Sequence, residues 1–332
     1  MRCVAVRRTR HSWLAPTDYD MSSRLRVYVF SYNRPEFLAN IVASVETLIP
    51  DAALTIIDDD SEDRRMRKLL AQYESTRRIL RPSTHARSQT YKTGGLYANK
   101  TLALADAAEQ GADYALYMHD DQQIVRRVSG DDLARFDAFF AANPSALEIQ
   151  PCFFKHDLRA ADRQYTRLDD SQNAYFRDQP NARGHRYFAG SGLFHVERTQ
   201  QVIGTFGLGE KPNEAFLSER AIYMGLYAYP FMAWLPFPIS YRGKKRAITH
   251  RLIEWLGGGG FHPIDYLDAD ETARLLNRDL GERPVAEDWL SAPSAPAAEK
   301  WSTMGGFYNA SARRGFKKAL ARLLWKWQKR RG

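Results

Sequence analysis

The chain has 332 residues, 44% of them apolar and 26% charged, with 48 Lys+Arg against 39 Asp+Glu for a net charge of +9. That is ample to bury a core and excludes wholesale disorder. Cys3 and Cys152 are too few for a disulfide framework and too far apart for a zinc knuckle, so a reducing cytoplasm is the expected compartment.

Residues 1–24 are an Arg-rich leader with no apolar run long enough for a secretory segment, and we expect them to be disordered. Val27–Phe30 reads as a first strand, and Asn33 with Pro35 signals a helix that carries Phe37, Leu38, Ile41, Val42, Val45 and Leu48 at helical spacing. Leu54–Ile57 is a second strand ending in Asp58-Asp59-Asp60-Ser61, with Ser61 placed to cap the charged helix that follows. Ile79–Leu80 is a weak third strand. A helix between Gly94 and Gln110 shows an apolar face at Ala98, Leu102, Ala105 and Ala108, and Tyr114–Met118 is a strand running into His119-Asp120-Asp121. Strands alternating with amphipathic helices imply right-handed crossovers and a mainly parallel sheet.

Further along, Ala221–Tyr241 is uncharged and about the length of a membrane span, but Pro230, Pro236 and Pro238 suit a helix end followed by buried strands. Residues 283–299 read as a Pro/Ala linker, and 300–332 as a basic amphipathic helix. The segment 313–331 holds nine basic residues; 1–26 hold six Arg and two Asp, which leaves 27–312 at −4. A body of that sign argues against nucleic acid as a partner.

In an open parallel sheet, ligands bind outside the carboxyl ends of the strands. Three such ends carry Ser31, Asp59 and Asp120-Asp121. Converging carboxylates repel one another, and a divalent cation or a donor-rich ligand removes that cost. Each acidic cluster alone is equally well a set of solvated loop acids. No glycine-rich phosphate loop of the GxGxxG or GxxxxGK[ST] type occurs, so a nucleotide here would depend on metal rather than on backbone amides.

The set VYVFSYNRPEFLANIVASV, LTIIDDDSED and DYALYMHDDQ, in that order, resembles the nucleotide-sugar half of family 2 glycosyltransferases with the GT-A fold. The resemblance runs over about residues 25–245 and is clearest to about 125. It implies an α/β, GT-A-type, mainly parallel sheet flanked by helices, with a C-terminal helical extension. Residues 25–125 would be the nucleotide-sugar-binding half and 126–282 the acceptor-binding, catalytic half. By the same resemblance Phe30 and Ser31 would line the base pocket, Asp59 would accept hydrogen bonds from base or ribose, and Asp120 would sit beside ribose and metal. Asp121 would bind a divalent cation, Mn²⁺ or Mg²⁺, and Lys92 would meet the nucleotide. His119 stands where many members carry another acid.

In the distal half, Asn213-Glu214-Ala215-Phe216-Leu217 fits part of the family's EDxDL frame, with Asn213 and Phe216 replacing two acids. That places Glu214 as the base that takes a proton from the acceptor hydroxyl. A first-turn helix acid explains Glu214 as well. Gly190-Ser191-Gly192 resembles the small-residue turn near donor sugar and acceptor, and His250 could complete the metal shell.

The whole implies a metal-dependent inverting glycosyltransferase. It would move a single sugar from a nucleotide-diphosphate sugar, UDP-linked by default, to a glycan or lipid-linked acceptor of a bacterial surface polysaccharide. The processive QxxRW motif is absent. Residues 313–331 would either lie on an anionic membrane at the inner face of the cytoplasmic membrane or pack on the body; periodicity does not separate the two. The rival readings are a sugar-1-phosphate nucleotidyltransferase and a non-catalytic, basic-tailed membrane- or nucleic-acid-binding protein.

Overall fold

The apolar run at 27–30 is the centre of strand β1, Leu25–Ser31, buried at every residue but Arg26. The computed structural model to which it belongs describes residues 21–82, 95–179, 182–239, 252, 258–296, 301 and 323. A short helix α1 (Met21–Arg24) precedes β1, and the alternation expected from sequence follows: α2 (Pro35–Leu48), β2 (Ala53–Asp58), α3 (Arg64–Tyr73), β3 (Arg78–Leu80), α4 (Leu96–Glu109) and β4 (Tyr114–His119). β1 pairs in parallel with β2 and β4, and β2 with β3.

The distal half adds β5 (Gln122–Ile124), α5 (Gly130–Ala142), β6 (Glu148–Gln150), α6 (Arg159–Tyr165), β7 (Arg167–Asp169) and β8 (Ala174–Phe176). It continues with β9 (Gly192–His195), α7 (Val196–Val202), α8 (Glu210–Ser218), β10 (Gly225–Tyr227) and β11 (Met232–Trp234). The nine-stranded sheet has the order β3-β2-β1-β4-β9-β6-β10-β8-β7, and β5 pairs with β11 beside it. β9 runs antiparallel to β4 and β6, and β8 to β10 and β7, so the other seven strands share one direction. The protein is therefore α/β with a mainly parallel sheet flanked by helices.

Alternation along β1 builds two cores, because successive side chains leave a strand on opposite faces. Leu25, Val27 and Val29 pack with Leu38, Ile41 and Val45 of α2 and with Phe136 of α5. Tyr28 and Phe30 face Leu104 and Ala107 of α4, with Tyr117, Phe188 and Phe194. The uncharged stretch at 221–241 supplies β10 and β11 to these layers. Among the described residues no helix is long and apolar enough to cross a membrane.

Three local expectations are corrected. The buried face of α4 is Asn99, Lys100, Ala103, Leu104, Asp106 and Ala107, whereas Ala105 and Ala108 are exposed. Asp106 accepts from the Tyr28 hydroxyl and pairs with Arg78, so partnered polar groups occupy the inner face and alanines the outer one. Asp63, not Ser61, caps α3, accepting from the backbone N–H groups of Arg65 and Met66 at 2.8 and 3.1 Å. The expected linker begins as packed chain: Val285, Ala286 and Leu290 are buried, and Phe154 exchanges backbone bonds with Pro284 and Ala286. Of the C-terminal helical extension only residues 301 and 323 are described.

A fully buried ion pair locks the distal half to the sheet. The Arg126 guanidinium binds Asp132 through both terminal nitrogens (2.7 and 3.0 Å) and donates to the carbonyls of Arg127, Tyr229 and Pro230. Tyr227 donates its hydroxyl to Asp132 at 2.8 Å. Removing one partner of such a pair strands the other charge without solvent. We expect Asp132→Ala to lower unfolding free energy by about 3–5 kcal/mol, measured by urea denaturation.

Candidate functional site

The parallel register of β1 with β4 sets Phe30 beside His119, so the loops leaving both strands meet at one edge. Asn33 adopts a left-handed backbone (φ 52°) and fastens this edge to β2. Its N–H donates to the Ser61 hydroxyl (2.9 Å), and its side-chain oxygen accepts from the N–H groups of Glu62 and Asp63 (2.7 and 2.8 Å). Asp58 accepts from the Ser61 N–H and hydroxyl.

The next residue, Arg34, lies between the two acids at the end of β4. Its guanidinium binds both oxygens of Asp120, approaches Asp121 Oδ2 at 3.2 Å, and donates to the Ile239 carbonyl at 3.0 Å. Asp120 is only 2% exposed. Burial pushes its carboxyl up, opposed by Arg34, to about 6, which leaves it ionised at neutral pH. His119 is half-buried beside it, edge-on to Phe30 and to Trp234, and desolvation together with Lys100, Arg34 and Lys155 holds its imidazole well below the usual range.

Whether these residues suit a divalent cation follows from the oxygen inventory. Of the four carboxylate oxygens, three are engaged by Arg34, and Asp121 Oδ1 is buried without a partner. Among the described residues no three His, Cys, Asp or Glu side chains converge to hold an ion. With Arg34 in place, the pair offers a metal one oxygen, Asp121 Oδ1, so an ion there would take its other ligands from water and substrate phosphates or displace Arg34.

The other sequence-predicted residues fall as follows. Phe30 is buried in the second core, edge-on to Tyr117. Ser31 is buried with an unpartnered hydroxyl, and its carbonyl accepts from the Asp59 N–H. Asp59 accepts from the Gly95 N–H at 2.9 Å and from Asn99 at 3.3 Å, tying β2 to the start of α4. A side chain at Gly95 would meet Asp59 Oδ1 at 2.6 Å and displace that carboxylate. Lys92 and His250 lie outside the described residues. A cleft of about 280 Å³ opens between the end of β2, α3 and β3, lined in part by Asp58, Asp60, Ser61, Arg67, Leu70 and Arg81.

Gly190-Ser191-Gly192 is joined to the acidic edge. Gln122, which accepts from the His119 N–H, donates to the Ser191 hydroxyl at 3.2 Å. Glu214, in α8, accepts from the N–H groups of Arg186, Tyr187 and Phe188, the last at 2.7 Å, and so holds the chain that enters the turn. Gln122, next in sequence to Asp121, thus ties the acidic edge to the turn, and Glu214 holds the chain that enters it.

Sequence reasoning missed the charges beneath that turn. Lys100 is fully buried, and its ammonium has no hydrogen-bond acceptor, only the rings of Tyr97 (4.5 Å), Phe188 (5.7 Å) and Phe30 (6.0 Å). Glu148 is 1% exposed; one oxygen accepts from the Ala189 N–H at 3.1 Å and the other has no partner. A Cβ on Gly190 would lie 2.7 Å from Lys100 Nζ, and one on Gly192 would lie 2.9 Å from Glu148 Oε1. Gly190 also has φ +71°. The two glycines leave room for the two charged tips. Burial pushes Lys100 down to about 7 and Glu148 up to about 8, each moderated by the other. The signal that could have found Lys100 is its place one helical turn before Ala103 and Leu104 on the face toward β1; Glu148 has no local signal.

No protein-family model matches the chain, and no curated protein matches it. Solved structures are similar in overall chain course. S. aureus TarS 1–349 gives a TM-score of 0.44 at 12% identity over 76% of this chain and 69% of that one. Its complex with UDP gives 0.43 at 11% identity over the same shares, and the chain spans 42% of a longer TarS structure. The mannosyltransferase PcManGT from Pyrobaculum calidifontis, in complex with GDP-Man and Mn²⁺, gives 0.38 at 14% identity over 73% of this chain and 65% of that one.

The buried Glu148 carboxyl yields a pH test. Its value rises from 4.5 to about 8 on folding, so its contribution to stability is complete below pH 4.5 and is lost as pH climbs through 8. Between pH 5 and 7 we expect unfolding free energy from urea denaturation to fall with rising pH in the wild type. Glu148→Gln should flatten that slope.

Proposed function

We propose that the protein is a nucleotide-sugar-dependent glycosyltransferase that adds a single sugar, with inversion, to a glycan or lipid-linked acceptor. The reading further assigns the acceptor to bacterial surface-polysaccharide assembly, at the cytoplasmic side of the membrane. The observation that carries it is the network linking the carboxyl ends of β1 and β4, through Gln122 and Ser191, to the turn at 190–192 and to Glu214. Those links join an acidic edge, a glycine-built turn and a carboxylate on a helix, in the chain order of the family 2 motifs.

In this reading the cleft beside Asp58, Ser61 and Leu70 takes the nucleobase, and the unpartnered Ser31 hydroxyl faces the nucleoside. The donor sugar lies toward the turn, where Gly190 and Gly192 present backbone rather than side chains. Glu214 removes the proton from the attacking acceptor hydroxyl. Three backbone N–H groups hold the carboxylate in place, that of Tyr187 shared between its two oxygens. The hydroxyl oxygen bonds to the anomeric carbon as the bond to the diphosphate oxygen breaks, the electron pair leaving with the diphosphate. A carboxylate positioned for this work contributes roughly 10²–10⁴-fold to rate. The Mn²⁺ or Mg²⁺ that the family resemblance implies enters this proposal only as a competitor of Arg34 for Asp121.

The test is a panel of UDP, GDP, dTDP, CMP and ADP for binding, then release of the bound nucleotide from its sugar conjugate in the presence of glycan acceptors. We expect one nucleotide to bind, and Glu214→Gln to keep that affinity within about threefold while turnover falls roughly 10²–10⁴-fold. Folded protein that binds none of the five contradicts the proposal.

A further inference from the structure

The acidic edge carries more positive charge than its sequence suggests. Arg34 is fully committed: two carboxylates and the Ile239 carbonyl take its donors. Lys100 is sealed under the turn. Lys155 is neither committed nor sealed.

Lys155 follows β6 on a segment held rigidly at the carboxyl end of the sheet. Cys152 bridges to Met232, Phe153 donates to the Met232 carbonyl at 2.9 Å, and Phe154 bridges to Val285. Its ammonium stands 4.3 Å from the centre of the Trp234 ring, and Trp234 lies edge-on to His119 at 5.6 Å. Among the described residues no carboxylate or carbonyl is bonded to it, yet it lies within electrostatic reach of Asp121 and Glu210. Burial pushes this ammonium down, with Arg177 adding repulsion. A half-buried cation held only by an indole face is expensive unless an anion completes its shell. The Trp234 Nε1–H is likewise buried without an acceptor. Two unpartnered donors therefore sit together beside Asp121.

We propose that Lys155 is the residue that binds the donor's diphosphate, supplying the positive charge that a divalent ion between Asp120 and Asp121 would otherwise supply. This rests on the glycosyltransferase reading. Arg34 offsets one of the two carboxylate charges, and Lys155 supplies the second positive charge and meets the phosphates directly. During transfer the bond between the anomeric carbon and the β-phosphate oxygen breaks, and its electron pair stays on the phosphate. The acceptor's proton goes to Glu214. Lys155 keeps its proton throughout and donates a hydrogen bond that strengthens as negative charge grows on the departing diphosphate.

The experiment measures binding of UDP, GDP, dTDP and ADP, and of the matching nucleosides, with EDTA and with Mn²⁺. It compares wild type, Lys155→Met and Lys155→Arg. We expect the wild type in EDTA to prefer one diphosphate over its nucleoside. Lys155→Met should lose roughly 10- to 100-fold for the diphosphate with nucleoside affinity unchanged, and Lys155→Arg should stay within several-fold of wild type. Two results overturn the proposal: Lys155→Met binding the diphosphate as wild type does, or a wild-type preference that vanishes in EDTA and returns with Mn²⁺. The EDTA comparison on wild type stands whether or not the Met variant folds. Binding of no nucleotide or nucleoside by the wild type sinks the glycosyltransferase reading itself, whereas nucleoside binding with an unaffected Lys155→Met sinks this proposal alone.

Discussion

The Arg34 bridge to Asp120 and Asp121 is the interaction on which the site depends. Two adjacent carboxylates leave a buried strand into a region that water hardly reaches, and burial alone would drive a proton onto one of them. The guanidinium keeps Asp120 ionised at neutral pH and orients both side chains. It also ties three chain segments that are distant in sequence: the loop after β1, the end of β4 and the chain at Ile239. Asn33, the residue before Arg34, clamps the same loop to β2 through Ser61, Glu62 and Asp63. The acidic edge is thus braced by its own polar groups.

A second charged layer lies under the Gly190-Ser191-Gly192 turn. Lys100 and Glu148 are both buried, both moved toward their neutral forms, and both touch the space that the two glycines leave open. Replacing such groups by apolar ones is often neutral or stabilising in other proteins, so their presence is weak evidence for stability. Together with Glu214, which grips the N–H groups at 186–188, Glu148 fixes the course of the chain into the turn. The turn is therefore held by carboxylates from two elements, β6 and α8, and linked to β4 by Gln122.

The strands and helices of the first half were legible residue by residue. β1, β2 and β4 are apolar runs, α2 shows helical spacing, and the acids fall where strands end. The cap of α3 was misread because Asp58, Ser61 and Asp63 are all capping types, and only the turn at Asp60 (φ 63°) decides which one meets the helix. The face of α4 was misread because apolarity was counted, while Asn99, Lys100 and Asp106 enter the interior with partners or ring contacts that lie on other elements. Arg34 stood in the SYNR run, but a sequence does not state that an arginine after one strand will answer acids after another. Lys155 follows a three-residue strand with no period to mark it.

The sequence by itself determined the alternation of strand and helix, the acidic strand ends, the glycine turn and Glu214 in its helix. These follow from periods of two and 3.6 residues and from local turn chemistry, which are short-range properties of the chain. Only the tertiary structure decided which charges meet. The parallel register of β1 with β4 set Arg34 against Asp120 and Asp121, and the packing of β6 and β11 set Lys155 on Trp234. Coulomb and desolvation energies depend on distance and burial, and neither is a property of sequence spacing.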